Sequence, residues 1–230
     1  MGLCCGILWS HVTRFRRDNL ALIPWAGALP HPNDRPQDPT GMSFLSPLRR
    51  LLYGPLRGMK AGSNVYLERP HRISHPESIR VGDRTRILRN ALIEPIHQYA
   101  GVNYSPQVEI GSDVYIGPNL FLACIGRVSI GDGSVLSEGV FINDNNHGFD
   151  PQAGLIMKQP LVHGGDVAIG KHCFVGLRSA IMPGVTLGDH CIVAINSVVT
   201  KSFPACSMVG GAPAKLIRSY DPATKSWATK

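Results

Sequence analysis

Residues 167–199 read VAIGKHCFVGLRSAIMPGVTLGDHCIVAINSVV. Aliphatic side chains recur in this stretch at every sixth position: Ile169, Val175, Ile181, Leu187, Val193 and Val199. Glycine follows several of these rungs (Gly170, Gly176, Gly188), and compact residues stand four places after each: Cys173, Ser179, Val185, Cys191 and Ser197. A period of six fits neither an α-helix nor a lone strand. It fits short strands joined by tight turns, three to a coil, wound as a parallel β-helix. The pattern extends towards the N-terminus. Ile110, Ile116 and Leu122 keep the period, and Ile130, Leu136 and Ile142 resume it after a two-residue slip. Val114, Leu120, Ser134 and Val140 fill the second inward position there. A weaker ladder, Ile73, Ile79, Val81, Ile87 and Ile93, precedes them. The expected fold is all-β, with coils over 61–204, an irregular extension over 1–60 and a C-terminal tail over 205–230.

Composition agrees. The 230 residues suffice for one domain with a real core. Hydrophobic residues make up 43% and charged residues only 17%, with 25 Gly and 18 Pro, which suits a turn-rich β architecture. Net charge is +7. The basic residues are dispersed, which argues against nucleic-acid binding and leaves an anionic cofactor or a membrane surface as the attraction. Six cysteines show no metal-binding spacing, and Cys173 and Cys191 read as small buried residues one coil apart. Free thiols of this kind fit a reduced, cytoplasmic setting. No apolar run reaches transmembrane length, and the apolar start Met1–Trp9 lacks the charge order of a signal peptide. Met42 is an alternative start. Residues 43–60 carry Leu45, Leu48, Leu51, Leu52, Leu56 and Met59 among basic residues, a short amphipathic helix interrupted by Pro47 and Pro55. Such a helix caps the first coil or touches a membrane.

Two stretches break the ladder: 94–107, and the polar loop 143–166, an excursion of a length usually tied to function. The second opens Asn143-Asp144-Asn145-Asn146-His147. His147 stands where a coil ends, anchored on one side and reachable on the other. An imidazole there takes a proton from a hydroxyl near neutral pH. A surface histidine in a polar turn is the alternative, and His163 at the far end of the loop is its rival.

Several motifs resemble the hexapeptide-repeat acetyltransferases, the maltose/galactoside and polysaccharide O-acetyltransferase group. They are His147 before the loop, Val167–Gly170, Phe174–Gly176, Ile181–Gly188, Asn196–Lys201 and Val209–Lys215. The resemblance implies a left-handed β-helix, a homotrimer with active sites between subunits, and acetyl-CoA as co-substrate without a required metal. By position, His147 matches the family's catalytic histidine and Asn119 its acceptor-side asparagine. Gly176, Leu177, Ile195, Thr200, Lys201, Lys215 and Arg218 match its coenzyme contacts, with the Leu177 N–H facing the thioester oxygen. The family's Gly-Ala-Gly-Ser corner is here Ala194-Ile195-Asn196-Ser197, which puts bulk at Ile195 beside the pantetheine arm.

The activity implied is transfer of an acetyl group to a hydroxyl of a sugar or polysaccharide precursor, with His147 as base. A non-catalytic or γ-carbonic-anhydrase-like β-helix is the alternative. The latter needs three histidines on zinc, and His172 and His190 are the pair at repeat spacing.

Overall fold

The computed structural model describes residues 56–229. Three parallel sheets share one core, and the chain visits them in turn, so that each coil gives one strand to each face. Face A runs Lys60–Ala61, Ile79–Val81, Gln107–Ile110, Arg127–Ile130, Val167–Ile169 and Thr186–Leu187. Face B begins Tyr66–Leu67, Arg86–Ile87, Tyr115–Ile116, Val135–Leu136, Phe174–Val175 and Ile192–Val193. Face C runs Arg72–Ile73, Leu92–Pro95, Phe121–Cys124, Phe141–Asn143, Ala180–Ile181 and Val198–Val199. Pairing is in register between rungs: Ile110 faces Ile130, Ile169 faces Leu187, and Ile142 faces Ile181.

The sixfold ladder is the core. Ile116, Leu122, Leu136, Ile142, Val175, Ile181, Val193 and Val199 are fully buried. The second inward set is buried too, and most of its polar members are satisfied in one way. Thr85 Oγ1 donates to the Gly111 carbonyl (2.7 Å), Ser134 Oγ to Gly170 (2.8 Å), Cys173 Sγ to Gly188 (3.2 Å) and Cys191 Sγ to Pro204 (3.2 Å). Each bonds to the corner of the next coil, so the two cysteines act as hydrogen-bonding corner residues and not only as small hydrophobes. Ile79 lies in the same strand as the rung Val81, both turned inward.

The three edges of this prism differ. The A-to-B corners (82–85, 111–114, 131–134, 170–173, 188–191) and the B-to-C corners (88–91, 117–120, 137–140, 176–179, 194–197) are all four residues long. The third residue of each such turn has a left-handed backbone, as at Asn119, Gly139, Arg178 and Asn196. Every insertion leaves by the C-to-A edge: 74–78, 96–106, the two-residue slip at 125–126, and 144–166.

The amphipathic helix expected over 43–60 lies outside the described residues except for 56–60, a turn leading into the first strand. Two other expectations need revision. Residues 205–230 are not a simple tail. Ser207–Gly211 joins face B beside Ile192–Val193, and Ala214–Asp221 and Ser226–Thr229 extend the sheet antiparallel. The loop 143–166 is not uniformly polar either: Phe149, Leu155, Ile156, Met157 and Val162 are exposed on it. Among the described residues no helix is long and apolar enough to cross a membrane.

Candidate active site

His147 ends the strand Asn145–His147, which pairs antiparallel with Leu161–His163, Asn145 facing His163 and His147 facing Leu161. The loop is thus a hairpin whose base is fixed. Buried Asp144 does the fixing. Its carboxylate accepts from the N–H of Ile125 (2.9 Å) and of Gly126 (2.7 Å), from Cys124 Sγ (3.3 Å) and from Asn145 Nδ2 (2.9 Å). The two-residue slip therefore has a purpose: it turns two backbone N–H groups towards the loop's first carboxylate. Burial, and then the neighbouring Asp144, push the Cys124 thiol up, away from the thiolate form that a nucleophile needs.

The imidazole of His147 is half-buried, edge-on to the Tyr99 ring at 5.3 Å. Tyr99 stands on the small hairpin Gln98–Tyr99 and Val102–Asn103, and its hydroxyl donates to the Met157 carbonyl at the loop tip (2.8 Å). Tyr104 likewise donates to the Leu161 carbonyl (3.0 Å). His147 Nδ1 is buried without a partner among the described residues, and Asn143 Oδ1, an acceptor four residues earlier, is in the same condition. Nε2 is the nitrogen left to meet solvent or substrate. His163, the rival, is more exposed and is committed to carboxylates, with Nε2 3.1 Å from Asp166 and 3.9 Å from Asp144.

The other expected residues fall in two places. Thr200 and Lys201 follow the last face C strand on the same edge as His147, two coils along the axis. At about 4.8 Å per strand that is roughly 10 Å. Lys201 lies over the Phe203 ring at 5.6 Å. Asn119, Gly176, Leu177 and Ile195 occupy the opposite, B-to-C edge. Asn119 Oδ1 accepts from Asn90 Nδ2 (3.1 Å) and its Nδ2 donates to Glu138 (3.1 Å), a ladder along that corner. A Cβ on Gly176 would lie 2.7 Å from the Ile195 backbone nitrogen, so glycine is required there by close packing of the coils. The Leu177 carbonyl accepts from the Asn196 N–H (2.8 Å), while the Leu177 N–H makes no hydrogen bond within the described residues. Ile195 is 55% exposed. One face C strand separates the two edges. At about 3.3 Å per residue this is on the order of 15 Å, so one chain does not bring His147 to Asn119 or to the Leu177 N–H.

Lys215 and Arg218 are three apart on one strand, which in a regular strand means opposite faces. A bulge corrects this. Gly210 pairs with Lys215 and Met208 with Arg218, leaving Ile217 unpaired, so both cations lie on the outer face.

Elsewhere, a shallow groove of about 980 Å³ runs along face A past Lys60, Arg80, Glu109 and Lys171. None of the expected site residues lines it. His172 and His190 stack at 5.0 Å on an outer corner, a pair and not a three-imidazole zinc site. Sequence reasoning missed Tyr99 and Asp144. Tyr99 lies in an insertion without a period, and the burial of Asp144 depends on N–H groups that only the folded slip presents.

The hexapeptide repeat of succinyl-transferase matches residues 107–144 and 166–201. Nodulation protein L of Rhizobium meliloti (strain 1021) is 39% identical over 117 residues, 50% of this chain and 61% of that protein. The chain therefore spans about three-fifths of that relative's length. WcaF of Escherichia coli (strain K12), named as a colanic acid biosynthesis acetyltransferase, is 30% identical over 133 residues, 58% of this chain and 68% of that protein. The fold is shared with AntD, an N-acyltransferase from Bacillus cereus solved with dTDP and 3-hydroxybutyryl-CoA, at a TM-score of 0.59 and 22% identity over 73% of this chain and 86% of that one. The prism is accordingly a left-handed parallel β-helix. Its repeat and its likeness to WcaF place the chain in the hexapeptide-repeat acetyltransferase family.

Proposed function

We propose that the protein is an acetyl-CoA-dependent O-acetyltransferase, working as a homotrimer on a hydroxyl of a sugar or polysaccharide precursor. The observation that carries this is the division of the site. His147, Thr200 and Lys201 stand on one edge, and Asn119, Leu177 and Ile195 on another, too far apart to serve one reaction in one chain. A threefold arrangement sets the His147 edge of one subunit against the opposite edge of the next and completes the site three times. The acceptor class rests on relatives named for nodulation and for colanic acid biosynthesis.

The chemistry follows from the parts. Nε2 of His147 takes the proton of the acceptor hydroxyl as that oxygen attacks the thioester carbon. The free N–H of Leu177 donates to the oxygen of the tetrahedral intermediate, where negative charge develops. His147 then returns the proton to the departing thiolate. Lys201, Lys215 and Arg218 attract the coenzyme phosphates. Tyr99 and the Asp144-pinned hairpin hold the imidazole in place. Direct transfer needs no covalent enzyme intermediate.

Active-site complementation tests the reading. Chains carrying His147→Ala and chains carrying Ile195→Trp should each be inactive alone in a thiol-release assay with acetyl-CoA and a panel of sugars. Co-assembled in equal amounts, they should recover about a quarter of the wild-type rate, because random assortment leaves that share of interfaces with both edges intact. No recovery from mixed oligomers would refute the shared site.

A further inference from the structure

Three metal-ligating side chains meet on the insertion-bearing edge, outside the site described above. His75 and Glu77 belong to the insert 74–78 between the first two coils, and His97 belongs to the insert one coil later. The two imidazole rings lie 4.7 Å apart, tilted by 52°. Glu77 Oε1 is 3.2 Å from His75 Nδ1. One ligand atom from each of the three residues lies within 4.8 Å of the other two. Both histidine side chains are placed by local structure. His75 has a left-handed backbone (φ 48°), uncommon for a residue with a side chain. The Ser78 hydroxyl lies 2.7 Å from His97 Nε2 and fixes that ring.

We propose that His75, Glu77 and His97 bind one divalent transition-metal ion of the zinc class. Two imidazoles and a carboxylate are a donor set that zinc accepts, whereas magnesium and calcium favour oxygen alone. Zinc bonds of about 2.0–2.2 Å set tetrahedral donors roughly 3.4 Å apart. The His75–Glu77 pair is already at that spacing, and both side chains are exposed.

The site would tie two inserts together. Gln98 begins the small hairpin immediately after His97, and Tyr99, two residues on, walls His147. A bound ion therefore clamps the hairpin that supports the proposed base. Its role is structural or regulatory, and the proposal does not depend on the acetyl-transfer reading.

Calorimetric titration of the full chain with Zn²⁺ at neutral pH, without acceptor or coenzyme, tests it. The wild type should bind one equivalent that weakens by about tenfold or more in His97→Gln and in Glu77→Gln. His172→Ala, from the stacked pair on the other corner, should keep it. Co²⁺ should give the visible bands of a four-coordinate site in the wild type and not in His97→Gln. Far-UV circular dichroism checks that the variants keep the fold. Equal binding by the wild type, His97→Gln and Glu77→Gln overturns the proposal, as does loss of that equivalent in His172→Ala. Hydrogen exchange over 98–103 should slow when zinc is added, and unchanged exchange refutes the clamp.

Discussion

At the scale of single residues, His147 has a side chain whose loss opens no core cavity. His147→Ala should keep the fold and coenzyme binding while the transfer rate falls by about 10²–10⁴-fold, the usual contribution of a general base. His163→Ala is the control and should retain most activity. A dead His163→Ala beside an active His147→Ala would reassign the base. Ile195→Ala should tighten the apparent acetyl-CoA affinity or leave it unchanged, since the side chain projects into solvent where its family has a small residue. A large rise in KM for acetyl-CoA would make Ile195 an apolar wall for the pantetheine arm. His71 gives a pH test. Burial, and then the charge of Arg69, lower its pKa, and its Nε2 is buried without a partner among the described residues. The folded chain therefore binds fewer protons at this site than the unfolded one. Stability from this source is present above the ordinary imidazole value of about 6.5 and is lost as pH falls below it. The fall in Tm on acidification should be shallower in His71→Gln than in the wild type, and equal slopes would discount the group.

At the scale of elements, the corners carry the specificity of the fold. A Cβ on Gly131 would lie 2.6 Å from the backbone of Gly170 and Lys171, so coils cannot stack at their spacing with any larger residue there. Gly131→Ala should cost about 1–3 kcal/mol in denaturant unfolding, the range for overpacking. Asp144→Ala should cost on the order of 1–3 kcal/mol for each buried N–H it orphans at Ile125 and Gly126. It should also lower activity by loosening the His147 hairpin. The ladder of rungs was legible because an inward position on a three-strand coil admits little but an aliphatic side chain, which prints a period of six directly. The first coil was not, because its face A rung is Ala61, too small to mark a period. The C-terminal strands left only a short trace, Ala214 and Leu216 turned inward on either side of exposed Lys215. The bulge at Ile217 and the polar Arg218 break that alternation, and the strands read as a tail.

At the scale of the whole molecule, the faces divide by chemistry. Face A points Lys60, Arg80, Glu109, Ser129 and Thr186 outward, whereas beyond Arg86 and Arg72 in the early coils face B points Tyr115, Val135, Phe174 and Ile192 outward, and face C Leu92, Phe121, Phe141 and Val198. The rings of Phe121 and Phe141 stack at 4.9 Å, nearly parallel. Faces B and C are the ones that gain by leaving water, as the proposed homotrimer requires. The double substitution Phe121→Asp with Phe141→Asp should convert a trimer to monomer in light scattering and abolish transfer, with the coil fold intact. An unchanged trimer would move the interface elsewhere. The proposed coenzyme positions Gly176, Leu177 and Ile195 could be matched by motif because they sit on regular corners, whereas Lys215 and Arg218 stand on the added C-terminal strand. The two-edge division is countable as well, since every third rung returns to one face: Ile142 and Val199 lie on face C, and Val175 and Val193 on face B.

All insertions leave by one edge, while the other two edges keep four-residue turns throughout the described coils. Such a scaffold separates what must stay constant from what is free to vary. A graft that exchanges 144–166 for a foreign hairpin, retaining Asp144 and His147, alters the chemistry offered to an acceptor without disturbing a single rung. New specificity in this architecture is reached by editing one seam of the prism, much as a lock is rekeyed by changing pins in a fixed cylinder.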